Sequence, residues 1–157
     1  MINLANKLLE SSAGIGQINI MLVDDNKSNL SSMENILMHE RRNILCASSG
    51  EEAIEYAHAF DIALIIIDDQ MEEMNGGRLS KRLKEDPATK DVPIVFIATR
   101  GKQDNLVSQG YEGSIVDYLF KPLEINAVAN KVRIFEKLYL QKMDLKSYAE
   151  RVVGINK

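Results

Sequence analysis

The sequence predicts an α/β fold: a doubly wound sheet of five parallel strands with an extended C-terminal helix. Three observations predict it. Five short apolar runs rich in β-branched residues recur from residue 18 onward, each of strand length rather than helix length. Segments with helical apolar spacing lie between them, so strand and helix alternate along the chain. The third run, Ile62–Ile67, is apolar at every position, as a central parallel strand covered on both faces must be.

Residues 1–17 precede the first run. They carry Ile2, Leu4, Ala5, Leu8 and Leu9, then the flexible run Ser11 to Gly16, and are expected to form a loosely attached extension; a helix docked on the domain or a partner is the sharper alternative. Ile18–Val23 is the first strand. Asn26 to Ser28 can cap the helix that follows, which carries Leu30, Met33 and Leu37 on one face. Ile44–Ala47 is the second strand, and Ser49-Gly50-Glu51-Glu52 is a capping box that opens a helix through Ala53, Ile54 and Ala57. After the third strand, a helix over Gly77–Glu85 is stopped by Asp86-Pro87. Val92–Ile97 and Ile115–Leu119 are the fourth and fifth strands. From Leu123 to about Val152 there is neither Gly nor Pro, which predicts a helix reaching roughly 40 Å. Leu138, Leu145 and Val152 recur every seven residues there, with Ala149 on the same stripe and Lys142 interrupting it.

Composition narrows the function classes. Lys and Arg number 19 against 23 Asp and Glu, a net charge of −4, which disfavours a dedicated nucleic-acid or anionic-membrane binder. The lone Cys46 excludes an intrachain disulfide framework and a cysteine-built zinc site. No apolar run is long enough to span a bilayer, and the N-terminus lacks the basic-then-apolar pattern of a secretory signal, so a cytoplasmic location is expected.

Ligands of open α/β sheets bind outside the carboxyl ends of the strands. The first strand ends in Asp24-Asp25, the third in Asp68-Asp69, the fourth in Ala98-Thr99, and the fifth runs into Lys121-Pro122. One such Asp pair is often only a cap or turn. Two pairs at neighbouring strand ends, with a lysine at a third, repel one another unless a cation is near, and all-oxygen ligands favour a hard ion such as Mg²⁺.

Three segments then carry a family resemblance: Ile20 to Asn26, Ile65 to Gly76 and Asp117 to Pro122. Together they resemble the receiver domain of two-component response regulators, a flavodoxin-like fold, over roughly residues 18–138; residues 139–157 continue the last helix. The resemblance implies a signalling switch that takes phosphate from a phosphohistidine of a sensor histidine kinase or phosphotransfer domain. Asp68 aligns with the phosphoacceptor, followed by Met71, Met74 and Gly76 at the family's spacing. Asp24, Asp25, Asp68 and the backbone carbonyl of Gln70 would hold Mg²⁺. Lys121 would pair with Asp68, on a peptide bond to Pro122 that is cis in the family. Asp69 as acceptor would displace that spacing and carry an ionised Asp68 inside the strand. His39 and His58 lie in helical stretches away from the strand ends and are expected to be surface or packing residues.

The chain departs from the family at two places. Counting from Pro93, Ala98 occupies the position of the family's Thr or Ser, and Thr99 follows it; the family's hydroxyl bonds a phosphoryl oxygen and couples to the aromatic at Tyr118. Thr99 can take that role only if a bulge or loop re-aims it, because adjacent strand side chains face opposite ways. Glu72 stands where the family usually has Pro. Gly110 to Glu112 and the helix through Lys131 to Arg133 resemble receivers of multi-domain regulators, so a homodimer or an output domain through the last helix is expected. Two rivals remain: a pseudo-receiver that works as an interaction module, and a phosphohydrolase with an aspartyl nucleophile, which the Asp24-Asp25-Asn26 spacing disfavours.

Overall fold

Pairing of the apolar runs sets the architecture. The computed structural model describes residues 17–69, 71, 75–101 and 117–155. In chain order these form β1 (Ile18–Val23), α1 (Lys27–Leu37), β2 (Arg42–Ala47), α2 (Gly50–Ala59), β3 (Ile62–Asp68), α3 (Gly76–Glu85), β4 (Ile94–Thr99), β5 (Asp117–Lys121) and α4 (Ile125–Ile155). The strands make one sheet in the order β2-β1-β3-β4-β5, and every pair is parallel.

Strand alternation sorts the core into two layers. Leu22, Ile66, Ile97 and Leu119 pack toward α1 and α4, with Leu37, Val128 and Val132. Val23, Ile67 and Phe96 pack toward α2 and α3, with Ala53, Leu79 and Leu83. All seven residues of β3 are buried, as its unbroken apolar run predicts.

The helix starts follow local chemistry. Asn26 caps α1 by accepting from the Asn29 N–H, and Ser49 caps α2 by accepting from the Glu52 N–H at 3.1 Å. The Glu52 carboxylate reaches back one residue beyond the cap, accepting from the Ser48 N–H at 2.8 Å, a variant of the expected capping box. Gly76 opens α3 where backbone passes close to the sheet. A Cβ there would lie 2.9 Å from Phe96 Cε1 and 3.1 Å from the Asp68 carbonyl oxygen, so a side chain does not fit.

Several boundaries differ from the sequence reading. β2 begins at Arg42 rather than Ile44 because Arg42 and Asn43 pair with Ile18 and Asn19. β4 runs from Ile94 to Thr99 rather than from Val92 to Ile97, and β5, described from Asp117, continues to Lys121 rather than ending at Leu119; Ile115 and Val116 lie outside the described residues. Apolar content locates the buried middle of a strand, whereas its hydrogen-bonded ends here are polar residues paired as Thr99 to Lys121. Of the N-terminal extension expected over residues 1–17, residues 1–16 lie outside the described residues. α4 is 31 residues long, as its freedom from Gly and Pro up to Val152 predicts. Its first half packs on the sheet through Val128, Val132 and Phe135. Arg42 fixes it to the sheet edge, donating to both carboxylate oxygens of Glu136 at 2.8 and 2.6 Å and to the Leu37 carbonyl at 3.0 Å.

Candidate functional site

Asp24 and Asp68 sit one residue beyond the paired residues Val23 and Ile67, so the two strand ends present them side by side. Both are buried. Lys121, at the end of β5, reaches over β4 to place Nζ 3.0 Å from Asp68 Oδ2. The three residues line one end of a cavity of about 370 Å³ that runs along α1 past Met33 to Leu123. Thus the acid pair and its lysine converge at the carboxyl edge, where an α/β sheet takes its ligand.

The electrostatics of the pair are unfavourable without a cation. Burial pushes the Asp24 carboxyl above the usual range, and the adjacent Asp68 carboxylate pushes it the same way. The Asn26 backbone N–H, donating to Asp24 Oδ1 at 2.9 Å, opposes this only in part. Asp25 follows on the loop and is half-exposed.

Among the described residues, no three carboxylate, imidazole or thiol side chains come together as a ready-made cage. Mg²⁺ does not require one. It keeps several waters and takes one or two carboxylates, which the Asp24 and Asp68 pair can supply. The donor set and the strain at Asp24 therefore fit the ion; Gln70, whose carbonyl is the further ligand expected from the sequence, lies outside the described residues, as do Glu72, Glu73 and Met74.

The remaining sequence-predicted residues divide by face. Ala98 is fully buried and pairs with Phe120, on the side of the sheet that carries Phe96 and Tyr118. Thr99 is half-buried and pairs with Lys121, without any register shift between β4 and β5. The expected need for a bulge is not met; continuous alternation already puts Thr99 on the face of Ile97 and Lys121. The Lys121-Pro122 peptide bond is cis. Asp69 extends the sheet by donating its N–H to the Ile97 carbonyl at 3.0 Å, while the carboxylate that meets Lys121 belongs to Asp68.

Both histidines lie away from this edge. His58 pairs with Asp86 at 2.5 Å, and His39 Nδ1 accepts the Arg41 N–H at 3.1 Å. The Cys46 thiol is pushed up to about 11, chiefly by burial and then by Glu34, so it is protonated at neutral pH and serves packing.

Two sets of contacts along β5 were not read from the sequence, although Tyr118 itself was singled out there. The Tyr118 and Phe120 rings stack at 5.9 Å with 15° between their planes, and the Arg100 guanidinium lies 5.0 Å over Phe120. Lys131 of α4 donates to the Tyr118 carbonyl at 2.9 Å and pairs with Asp117 at 2.8 Å. The period-two spacing of Tyr118 and Phe120 was the only available signal for the first; nothing local announced the second.

The five-stranded parallel sheet with its acidic carboxyl edge is a receiver-type α/β fold, and comparison with known proteins gives the family. The chain belongs to the response regulator receiver domain family, whose model matches residues 20–133. It is 31% identical over 122 residues to a Vibrio cholerae protein named "Probable cyclic di-GMP phosphodiesterase", covering 78% of this chain and 27% of the relative. It is 30% identical over 139 residues to the response regulator PleD of Caulobacter vibrioides, covering 87% of this chain and 30% of the relative. The chain thus spans less than a third of the length of these two relatives. The chemotaxis response regulator CheY4 of Vibrio cholerae has the same fold, with a TM-score of 0.66, 20% identity, and coverage of 76% of this chain and 98% of that one.

Proposed function

We propose that this receiver is a phosphoryl-accepting switch that takes phosphate from a phosphohistidine onto Asp68. The observation that carries the reading is the buried Asp68, ion-paired to Lys121 beside a second buried carboxylate, Asp24. An Asp68 oxygen attacks phosphorus in line as the P–N bond of the phosphohistidine breaks; the bonding electrons leave on the imidazole nitrogen, which takes up a proton. Lys121 stays as counter-charge to the phosphoryl oxygens. Asp24, Asp25, Asp68 and the Gln70 carbonyl would hold Mg²⁺, which when bound neutralises charge on the phosphoryl group. Hydrolysis of the acyl phosphate by water resets the switch, so the domain catalyses both its own phosphorylation and its own dephosphorylation.

The donor is a sensor histidine kinase or a phosphotransfer domain. The exposed half of α4 passes the state to an output domain or a second copy, a role that the greater length of the relatives supports. Among the described residues no helix is long and apolar enough to cross a membrane, which is compatible with a cytoplasmic location.

Incubation with acetyl phosphate and Mg²⁺ tests the site. A hydroxylamine-sensitive label should map to Asp68, vanish in Asp68→Asn and fail to form in EDTA. A label on Asp69 would overturn the assignment. The absence of any label, with binding to a partner retained, would favour the pseudo-receiver; buried Ala98, which offers no hydroxyl, is the observation on that side.

A further inference from the structure

We infer that the Thr99 hydroxyl contacts the phosphoryl group on Asp68 from the Lys121 side of the sheet, and that Ala98, at the family's hydroxyl position on the opposite face, supplies no hydroxyl. This inference rests on Asp68 being the phosphoacceptor.

The first support is register. Asp68 pairs with Ile97, and β4 then continues to Thr99 without a bulge against β5. Ile97 belongs to the layer that faces α1 and α4, so Thr99, two residues on, lies on that same face. Asp24, Asp68 and Lys121 share the face, since they line one cavity with Ile97.

The second is position along the strand. At a rise of about 3.3 Å per residue, Thr99 stands roughly 6.6 Å beyond the level of Asp68. A phosphoryl group added to the Asp68 carboxylate extends outward in that direction. Laterally, β4 lies between β3 and β5, so Lys121 must pass over the end of β4 to reach Asp68 at 3.0 Å. Thr99 stands beside that path, paired with Lys121.

The third concerns the opposite face. Ala98 presents only a methyl group, fully buried and paired with Phe120. Phe120 is stacked on Tyr118 and covered by Arg100, so this side is filled by an aromatic pair and a guanidinium. The hydroxyl nearest the acceptor on β4 is therefore one residue later than the family pattern and on the other side of the strand.

Beryllofluoride with Mg²⁺, added to the full chain and titrated against wild type, Thr99→Val and Thr99→Ser, tests this directly. Thr99→Val should weaken the adduct about tenfold to a hundredfold, as loss of a hydrogen bond to a charged group does. Thr99→Ser should bind within a few-fold of wild type, and the affinity for Mg²⁺ alone should be the same in all three. Equal adduct affinity in Thr99→Val and wild type would overturn the inference while leaving Asp68 as acceptor. A Thr99→Ser protein as weak as Thr99→Val would overturn it too, by showing that the methyl group matters and the hydroxyl does not. No adduct in wild type would remove the phosphoacceptor reading and the inference with it.

Discussion

Asp24 holds its charge at a cost. Its raised pKa means that the folded chain binds a proton more readily than the unfolded chain between the ordinary carboxylate pKa and the raised one. Stability is therefore present below that window and lost as pH rises through it. Asp24→Asn should consequently melt at a higher temperature than wild type in EDTA at neutral pH, and the gap should close toward about pH 4. Mg²⁺ should raise the melting temperature of wild type more than that of the variant, and differential scanning fluorimetry reads both effects. A wild type that outlasts Asp24→Asn in EDTA would show that the carboxylate stabilises the fold on its own. Asp24, Asp68 and Lys121 were legible in the sequence because each terminates a short apolar run. The face of Thr99 was not. Only the pairing of β4 with β5 reveals that Thr99, rather than Ala98, shares a side with Lys121.

At the scale of elements, the order of strands and helices could be read from periodicity, as could both ends of β1 and the end of α3 at Glu85, whereas the polar ends of β2, β4 and β5 could not. Hydrophobic spacing marks burial, whereas polar strand ends such as Arg42, Thr99 and Lys121 are set by hydrogen bonding to a neighbour. The tie between β2 and α4 was invisible for a related reason: Arg42 and Glu136 are 94 residues apart, and neither sits in a recognisable motif. Their side chains are 13% and 12% exposed, so the pair falls nearer the buried than the surface regime. Arg42→Ala leaves Glu136 and the Leu37 carbonyl without these donors. It should lower unfolding free energy by about 2–4 kcal/mol in urea titrations. A loss below about 0.5 kcal/mol would place the pair among solvent-screened surface contacts.

For the whole molecule, the acidic excess becomes partly local: Asp24, Asp25 and Asp68 gather at one rim of the sheet, with Lys121 as their counter-charge. The outer half of α4 shows the opposite chemistry. Leu138, Leu145 and Val152, seven residues apart, are 53%, 70% and 37% exposed, an apolar seam that the described residues leave uncovered. Such a seam should support self-association, and Leu145→Glu should shift sedimentation toward monomer while leaving the far-ultraviolet circular dichroism of the sheet unchanged. A wild-type chain that sediments as monomer at all concentrations would assign the seam to a different partner. The way α4 is anchored also makes it a lever. Among the described residues Tyr139 and Leu140 are its last side chains packed on the core, and about 15 residues beyond Leu140 extend some 22 Å at 1.5 Å per residue. A tilt of about 5° at the anchored end would sweep the tip by about 2 Å, so a repacking too small to disturb the sheet becomes a displacement that an attached domain can register.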